Sequence, residues 1–172
     1  MGMSEFLISS VTVGSGGASS IDFTSIPSTY TDLMLRVSTR STDASVRRQL
    51  WVKYNNSSSN YTGRRLYAED GGVGSDSLSG ATGYSFGVTD GDSATANTYG
   101  NAEIYIHNYT SAKYKSSITD SVLENNSSTT YDNWITGNLW SDATAINQVT
   151  ITLSAGNFKQ YSTAYLYGIK NS

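Results

Sequence analysis

The stretch Ile146–Lys170, INQVTITLSAGNFKQYSTAYLYGIK, decides the fold of this chain. Apolar residues alternate with threonines in residues 149–153 and with tyrosines in residues 163–167. The segment Ala155-Gly156-Asn157 lies between them and is a turn signal. Alternation of period two on both sides of a Gly-Asn turn predicts a β-hairpin with one buried face. Such a pair cannot bury that face alone, so the rest of the chain is predicted to supply a second sheet.

The remaining sequence extends this prediction to an all-β fold. The chain has 172 residues, 13 tyrosines, three tryptophans and a single proline. Its length suits one domain, and its aromatic content is too high for a disordered chain. About ten alternating segments follow one another with negligible helix, which predicts a two-sheet antiparallel sandwich, jelly-roll-like in its connections. Within the single domain, residues 1–18 are predicted to be a possible N-terminal arm and residues 69–100 a long glycine-rich loop insertion.

Several classes of protein are excluded or disfavoured by composition. The absence of cysteine rules out disulfides and thiolate zinc sites. The N-terminal segment has no basic start followed by an apolar run, and no segment has the apolar length of a membrane span. We therefore expect a protein made in the cytoplasm with no membrane partner. A sequence pI near 5.0 argues against nucleic acid as a partner.

The charge distribution is uneven. The segment between Arg36 and Arg65 holds seven basic residues and one acidic residue, so it carries +6, whereas the rest of the chain carries −9. This asymmetry indicates an acidic partner surface or a matched charge on another copy, although basic residues also keep sheet edges soluble. Tyrosines near the C-terminus are a second candidate, either as interface residues or as cross-strand partners. The candidate interface residues are Arg36, Arg40, Arg47, Arg48, Arg64, Arg65, Tyr165 and Tyr167.

Three motifs suggest chemistry, and none supplies a complete site. The nonapeptide at residues 71–79 matches the calcium-binding repeat of parallel β-rolls, but it occurs once and leaves only Asp76 as a candidate ligand. Ser93 in a Gly-Asp-Ser block would need a base, and His107 is the sole histidine. Carboxylates that could serve glycoside hydrolysis are Glu103, Asp120 and Glu124. We predict no catalytic residue, no cofactor and no enzymatic activity.

Four blocks of sequence carry a resemblance to a known family. They are residues 22–35 (DFTSIPSTYTDLML), the Tyr54-Asn55-Asn56 and Asn60-Tyr61 pair, residues 102–109 (AEIYIHNY), and residues 145–170 ending in Leu-Tyr-Gly-Ile-Lys. In this order the blocks resemble β-sandwich accessory proteins of tailed-bacteriophage virions. The similarity covers residues 20–170. It implies a jelly-roll-like module used in capsid decoration or cement, in a head fibre or in a tail fibre, and it brings no catalytic residues.

The expected function is therefore structural. We expect a capsid decoration protein that binds and stabilises the assembled phage head, in contact with the major capsid protein or other virion proteins and self-associated as a homotrimer. It would be assembled in the host cytoplasm and located in the virion. The alternative is a tail-fibre or head-fibre module that binds a host-surface glycan through exposed tyrosine and tryptophan side chains. A small glycan hydrolase is a remote third reading.

Overall fold

The computed structural model describes residues 3–171, which form an all-β fold without a helix, and hence without a helix long and apolar enough to span a membrane. The predicted fold class is confirmed, with twelve strands in place of about ten. The strands are β1 (Met3–Thr12), β2 (Ser20–Phe23), β3 (Asp32–Thr39), β4 (Arg47–Tyr54), β5 (Tyr61–Glu69), β6 (Gly72–Ala81), β7 (Tyr84–Asp90), β8 (Gly100–Ile106), β9 (Lys115–Leu123), β10 (Asp132–Trp140), β11 (Val149–Leu153) and β12 (Thr163–Asn171).

The strands form two sheets with antiparallel ladders. The larger sheet has the order β1-β12-β3-β8-β9-β10-β5-β6, and the smaller sheet has the order β2-β11-β4-β7. Strand pairs are nested along the chain, because β1 pairs with β12, β2 with β11, β3 with β8, and β4 with β7. Successive nested pairs alternate between the two sheets. This is the strand pattern of a jelly roll, so the predicted jelly-roll-like sandwich is confirmed.

Two further strand pairs are inserted into this eight-stranded core. The pair β5–β6 lies between β4 and β7 in sequence, and the pair β9–β10 lies between β8 and β11. Because β10 pairs with β9 on one side and with β5 on the other, the four strands extend one jelly-roll sheet from four strands to eight. We refer to β9, β10, β5 and β6 as the inserted strands.

The core lies between the two sheets and continues beneath the inserted strands. Leu35 and Ile104 of the larger sheet share one buried cluster with Val52 of the smaller sheet. At the inserted strands this cluster becomes aromatic, with Trp140 centred 5.6 Å from Tyr54 and 6.2 Å from the Tyr61 ring, in stacked orientation. Aromatic pairs at these distances contribute beyond the area they bury. The insertion is therefore packed into the sandwich and is not an appended loop.

The predicted C-terminal hairpin is wrong. The strand β11 pairs with β2 and β4 in the smaller sheet, whereas β12 pairs with β1 and β3 in the larger one. The connection between them crosses from one sheet to the other, and Phe158 anchors it by being fully buried and bridging to Ala18 and Ser41. Alternation located both strands, but it does not specify which strands they pair with.

The predicted arm and the predicted loop insertion also need correction. Residues 3–12 of the arm are the edge strand β1, paired with β12 along its length; residues 1 and 2 lie outside the described residues. Residues 69–100 are not one loop insertion, because they contain the strands β6 and β7. The β6 segment is rich in glycine and serine, and its pairing with β5 fixes its conformation.

Candidate functional site

The strand β9 presents its apolar residues to solvent. Its side chains alternate between buried and exposed from Lys115 to Leu123, and the buried positions include Ser117, Thr119 and Ser121. The exposed positions include Ile118, which is 53% exposed, and Val122, which is 38% exposed. A sandwich strand normally turns its apolar face inward, so the polarity of β9 is inverted.

The neighbouring inserted strands continue this outward apolar surface. Ile135 on β10 lies directly opposite Leu66 on β5, and both side chains are more than half exposed. On β6, Val73 pairs with Ala68 and is 88% exposed. Since side chains two residues apart in a strand share a face, these aliphatic residues lie on one side of the larger sheet. We refer to them as the aliphatic patch, which comprises Leu66, Val73, Ile118, Val122 and Ile135.

The patch has a shallow relief, and its surface is open at Gly137. A depression of about 430 Å³ is lined by Leu66, Val73 and Ile135, and it adjoins a second depression of about 510 Å³ through Asp120 and Asn133. Gly137 lies between Ile118 and Arg64 in the strand register, and a Cβ atom added there would have no neighbour within 4 Å. A partner could therefore approach the backbone closely at this end of the patch, beside Ile118.

Besides the buried rings of Trp134 and Trp140, the inward side of β9 and β10 carries many polar side chains. The Ser117 hydroxyl lies 3.0 Å from the Tyr84 hydroxyl, and the Ser121 hydroxyl accepts a hydrogen bond from the Val88 amide. The Thr136 hydroxyl and both amide atoms of Asn138 are buried without a partner in the described chain. Buried polar groups gain little by facing inward, so the exposed aliphatic side chains are not explained by the stability of the monomer alone.

The groove between β4 and the inserted strands brings together Arg47, Arg48 and Arg65, three of the predicted interface residues. It has a volume of about 420 Å³. The Arg65 guanidinium stacks 3.8 Å above the Trp134 ring and donates hydrogen bonds to Asp76. Each arginine of this groove is paired with at least one carboxylate of the same chain. The groove therefore offers little free positive charge to an acidic partner.

Asp132 is the most perturbed carboxyl group near this groove. Its side chain is fully buried and lies 3.1 Å from Arg47. The pKa of Asp132 is raised from 3.8 to about 6. Burial is the largest cause, the charges of Glu69 and Asp70 act in the same direction, and Arg47 opposes them. The protonation of Asp132, and with it the stability of this end of the inserted strands, therefore changes at mildly acidic pH.

Arg36, Tyr165 and Tyr167 meet on the outer face of the jelly-roll half of the larger sheet. Arg36 donates to Glu103 at 2.7 Å and to Glu5 at 3.0 Å, and its guanidinium carbon lies 5.2 Å from the centre of the Tyr167 ring. Hydrogen bonds to Glu103 and then Glu5 raise the pKa of Arg36 above its usual range. The positive charge of Arg36 is therefore balanced by carboxylates of the same chain, as are the charges of the arginines in the groove.

Arg40 and Arg64, the last two of the predicted interface arginines, have different environments. Arg40 is only 4% exposed and donates to backbone carbonyls of the loop that follows β7. Arg64 is exposed on the outer face and donates to the carbonyl of Gly63. The arginines between Arg36 and Arg65 therefore do not form one basic surface. They lie on several faces of the molecule, because side chains alternate along each strand and Arg40 is buried beneath a loop.

The candidate chemical motifs do not assemble into sites. Asp76 lies in the regular strand β6 and its carboxylate is bound by Arg65, so the calcium-roll geometry is absent. In residues 3–171 no group of three or more potential ligands is positioned to hold a metal ion. Ser93 donates to the Ala44 carbonyl, whereas His107 packs 4.6 Å from the Tyr105 ring centre.

The carboxylates considered for hydrolysis lie on open surface. Glu103 and Asp120 are directly opposite each other on β8 and β9, but Glu103 is bound by Arg36. Glu124 lies beyond the end of β9 and accepts a hydrogen bond from the Asn126 amide. The aromatic platform expected for a glycan is also reduced, because Trp134 and Trp140 are buried and only Trp51 is partly exposed.

The residues of the aliphatic patch were not predicted from the sequence. The segment KSSITDSVL shows clear alternation, which locates a strand at residues 115–123. Alternation shows that the strand has two faces, but it does not show which one is buried. The usual assumption that the apolar face is buried would have placed Ile118 inside. The polarity of the opposite face, with its run of serine and threonine, was the available signal that this strand differs from the others.

Comparisons with known proteins add little to this geometry. No protein-family model and no curated protein sequence matches the chain. A solved structure to which it is similar is the galectin LEC-6 of Caenorhabditis elegans, with a TM-score of 0.31 and 10% sequence identity over 97% of this chain and 96% of the galectin chain.

Proposed function

We propose that this chain is a structural protein of a tailed-bacteriophage virion, a capsid decoration protein that docks on the assembled head through the aliphatic patch. The observation that carries the proposal is the inverted polarity of β9 and its neighbours, which turns five aliphatic side chains to solvent. The occupant we assign to the patch is an apolar surface of the head shell. The phage assignment itself rests on the sequence resemblance of residues 20–170.

The energetics favour docking over an isolated monomer. Burying a Leu, Ile or Val side chain fully contributes about 1.5–3 kcal/mol relative to leaving it exposed. The patch forgoes part of this contribution at five neighbouring positions. Exposed apolar residues that lie together on a folded domain often mark an interaction site, whereas exposed apolar residues scattered singly do not. Binding only the assembled shell would shift its equilibrium toward assembly and stabilise it.

The charge pattern supports an apolar contact and not an ionic one. Charges of the two signs balance at the patch. Asp120 lies within it, opposite Ile135, and Arg64 borders it, while Arg36 and Glu103 line the adjoining depression with Val122. Four of the arginines that looked available in the sequence, Arg36, Arg47, Arg48 and Arg65, are bound by carboxylates of the same chain. We therefore expect shell binding to change little between about 0.1 M and about 1 M salt, over which surface charges become strongly screened.

A matched pair of glycine variants tests the proposal. Gly137→Glu places a charge in the patch beside Ile118, where an added Cβ atom meets nothing within 4 Å. Gly14→Glu makes the same change in the loop after β1, where the added Cβ also meets nothing. Each variant is mixed with shells of the particle whose genome encodes the chain, and the fraction that sediments with the shells is measured.

We expect Gly137→Glu to lose at least tenfold in apparent affinity and Gly14→Glu to bind as the wild type does. A second patch variant, Leu66→Ser with Ile135→Ser, should reproduce the loss. Undiminished sedimentation of both patch variants would contradict docking through this surface. Deletion of residues 1–18 is not a suitable test, because it removes a strand of the larger sheet.

A second function, a glycan-binding fibre module, is favoured by one feature on the opposite side of the molecule. Trp51 and Lys53 line a depression of about 270 Å³ on the smaller sheet together with Thr152. A partly exposed tryptophan beside polar groups suits a sugar ring. Copy number discriminates between the two: a decoration protein is present in hundreds of copies per particle, and a fibre module in small multiples of three or six.

A further inference from the structure

The edges of the two sheets differ in how they are protected. Among the described residues, β1 and β6 are the edges of the larger sheet, and β2 and β7 are those of the smaller sheet. The strand β2 has only four residues, and every residue of β7 is buried. The strand β1 carries a register shift between Leu7 and Ser9 and an ion pair from Glu5 to Arg36. Short length, coverage, bulges and charge are the usual means by which an edge avoids pairing with another chain.

The strand β6 has fewer of these protections, because its one charged side chain, Asp76, is neutralised by Arg65. It is ten residues long, and its register with β5 is regular from Gly72 to Ser79. Its outward side chains are Val73, Ser75, Ser77 and Ser79, which are all exposed. The strand contains no proline, lysine or arginine. A long edge strand without an unpaired charge is a template for an added strand.

The charge of β6 favours a second copy of this chain as that added strand. Asp76 is its only ionisable side chain, and this carboxylate is neutralised within the same chain by Arg65. Two copies of β6 can therefore lie antiparallel without a like-charge cost, which would otherwise oppose self-pairing. The outward side chains of β6 are mostly small serines. They leave room for any register between the two β6 strands that keeps the outer faces of the two sheets on the same side.

We infer that β6 is a self-association site at which two copies of this chain pair edge to edge, with antiparallel β6 strands related by a twofold axis. The axis runs perpendicular to the sheet, so the two larger sheets become continuous and their outer faces point the same way. This contact is isologous, because the same segment is used on both copies. The pairing itself does not depend on the function proposed above.

The consequence for docking does rest on that function. Val73 belongs both to the aliphatic patch and to β6, so edge pairing places the patches of two copies side by side on one surface. A partner with repeated subunits would then be held at two points, which raises the apparent affinity without any new type of contact. The dimer is thus the binding unit in this account.

The test measures the mass of the full chain by light scattering and sedimentation velocity over a concentration series. We expect a concentration-dependent rise from 18.5 kDa toward twice that mass. The variant Ser75→Lys with Ser77→Lys adds charge along the edge and should remain monomeric throughout the series. The control, Ser116→Lys with Asn133→Lys, adds the same charge to the same outer face on interior strands, and it should dimerise as the wild type does.

Two results would overturn the inference. One is a wild-type chain that stays monomeric at every concentration. The other is a dimer that survives the β6 charges and is lost in the patch variant Leu66→Ser with Ile135→Ser. If the double lysine variant does not fold, Val73→Lys replaces it, since that side chain is almost fully exposed. Shell sedimentation is scored separately, so a dimer that does not bind shells refutes the docking proposal and leaves this one standing.

Discussion

Arg40 acts as a buried clamp for the loop that follows β7. Its guanidinium donates to the carbonyls of Thr95 at 2.7 Å, Thr98 at 2.8 Å and Ala94 at 2.9 Å. A planar guanidinium with five donors suits several convergent acceptors better than an ammonium does. The sequence suggested an interface arginine here, because a lone basic residue between strands gives no sign of the carbonyl groups that surround it.

Replacement of Arg40 by alanine should destabilise the fold markedly. The change leaves several partly buried carbonyls without a donor, and we expect the free energy of unfolding to fall by about 3 kcal/mol. Arg40→Lys should recover only part of this loss. The measurement is urea denaturation, with Arg64→Ala as the control at an exposed site, where a change within about 0.5 kcal/mol is expected. Equal losses for Arg40→Ala and Arg64→Ala would contradict the clamp.

Asp132 should make stability depend on pH in an unusual direction. Its pKa rises from 3.8 to about 6 on folding, mainly through burial. Between these values the folded state holds more protons than the unfolded state, so the unfolding free energy falls as pH rises through this window and stays at its lower value above about pH 6. About two pKa units correspond to about 3 kcal/mol.

The variant Asp132→Asn isolates this contribution. We expect its unfolding free energy to lose less than that of the wild type between pH 4 and pH 6, because the neutral amide has no charge to bury. The comparison uses urea denaturation of both proteins at each pH, so that other titrating carboxylates cancel in the difference. Parallel pH profiles for the two proteins would show that Asp132 is not the group responsible.

At the scale of elements, the inserted strands are joined to the jelly roll by the aromatic cluster. Trp140 on β10 contacts the rings of Tyr54 and Tyr61 and is almost fully buried. Trp140→Ala should reduce the free energy of unfolding by about 3–5 kcal/mol, as expected for a large buried aromatic side chain. Trp51→Ala removes a tryptophan that is only partly buried and should cost less than half as much. The measurement is chemical denaturation of both variants. Wild-type stability of the Trp140 variant would show that the inserted strands do not contribute to the core in this way.

Strand locations could be predicted from the sequence, whereas strand partners could not. Alternation is a local property, and it located β11 at Val149–Leu153 and the start of β12 at Thr163. The pairing of β11 and β12 with different sheets depends on contacts more than a hundred residues away, such as the ladders to β2 and β3. The strand β6 was missed because glycine and serine have low strand propensity and pairing with β5 overrides it.

At the scale of the whole molecule, the two parts of the larger sheet have different surfaces. The jelly-roll strands carry the neutralised cluster of Arg36, Glu5 and Glu103 on their outer face, and the inserted strands carry the aliphatic patch. The patch could not be predicted because the sequence does not fix which face of β9 is buried. Charge counting along the chain was misleading for a related reason, since it ignores the carboxylates that folding brings to each arginine.

The central claim is that the aliphatic patch is covered in the assembled particle. The chain has no cysteine, so a single cysteine introduced at one site reports on that site alone. We would label Ile135→Cys on the patch and Thr152→Cys on the smaller sheet with a maleimide, for the free protein and for the shell-bound protein. We expect binding to slow labelling at position 135 at least tenfold and to leave labelling at position 152 unchanged. Equal labelling at position 135 in both states, or protection at position 152 alone, would contradict it.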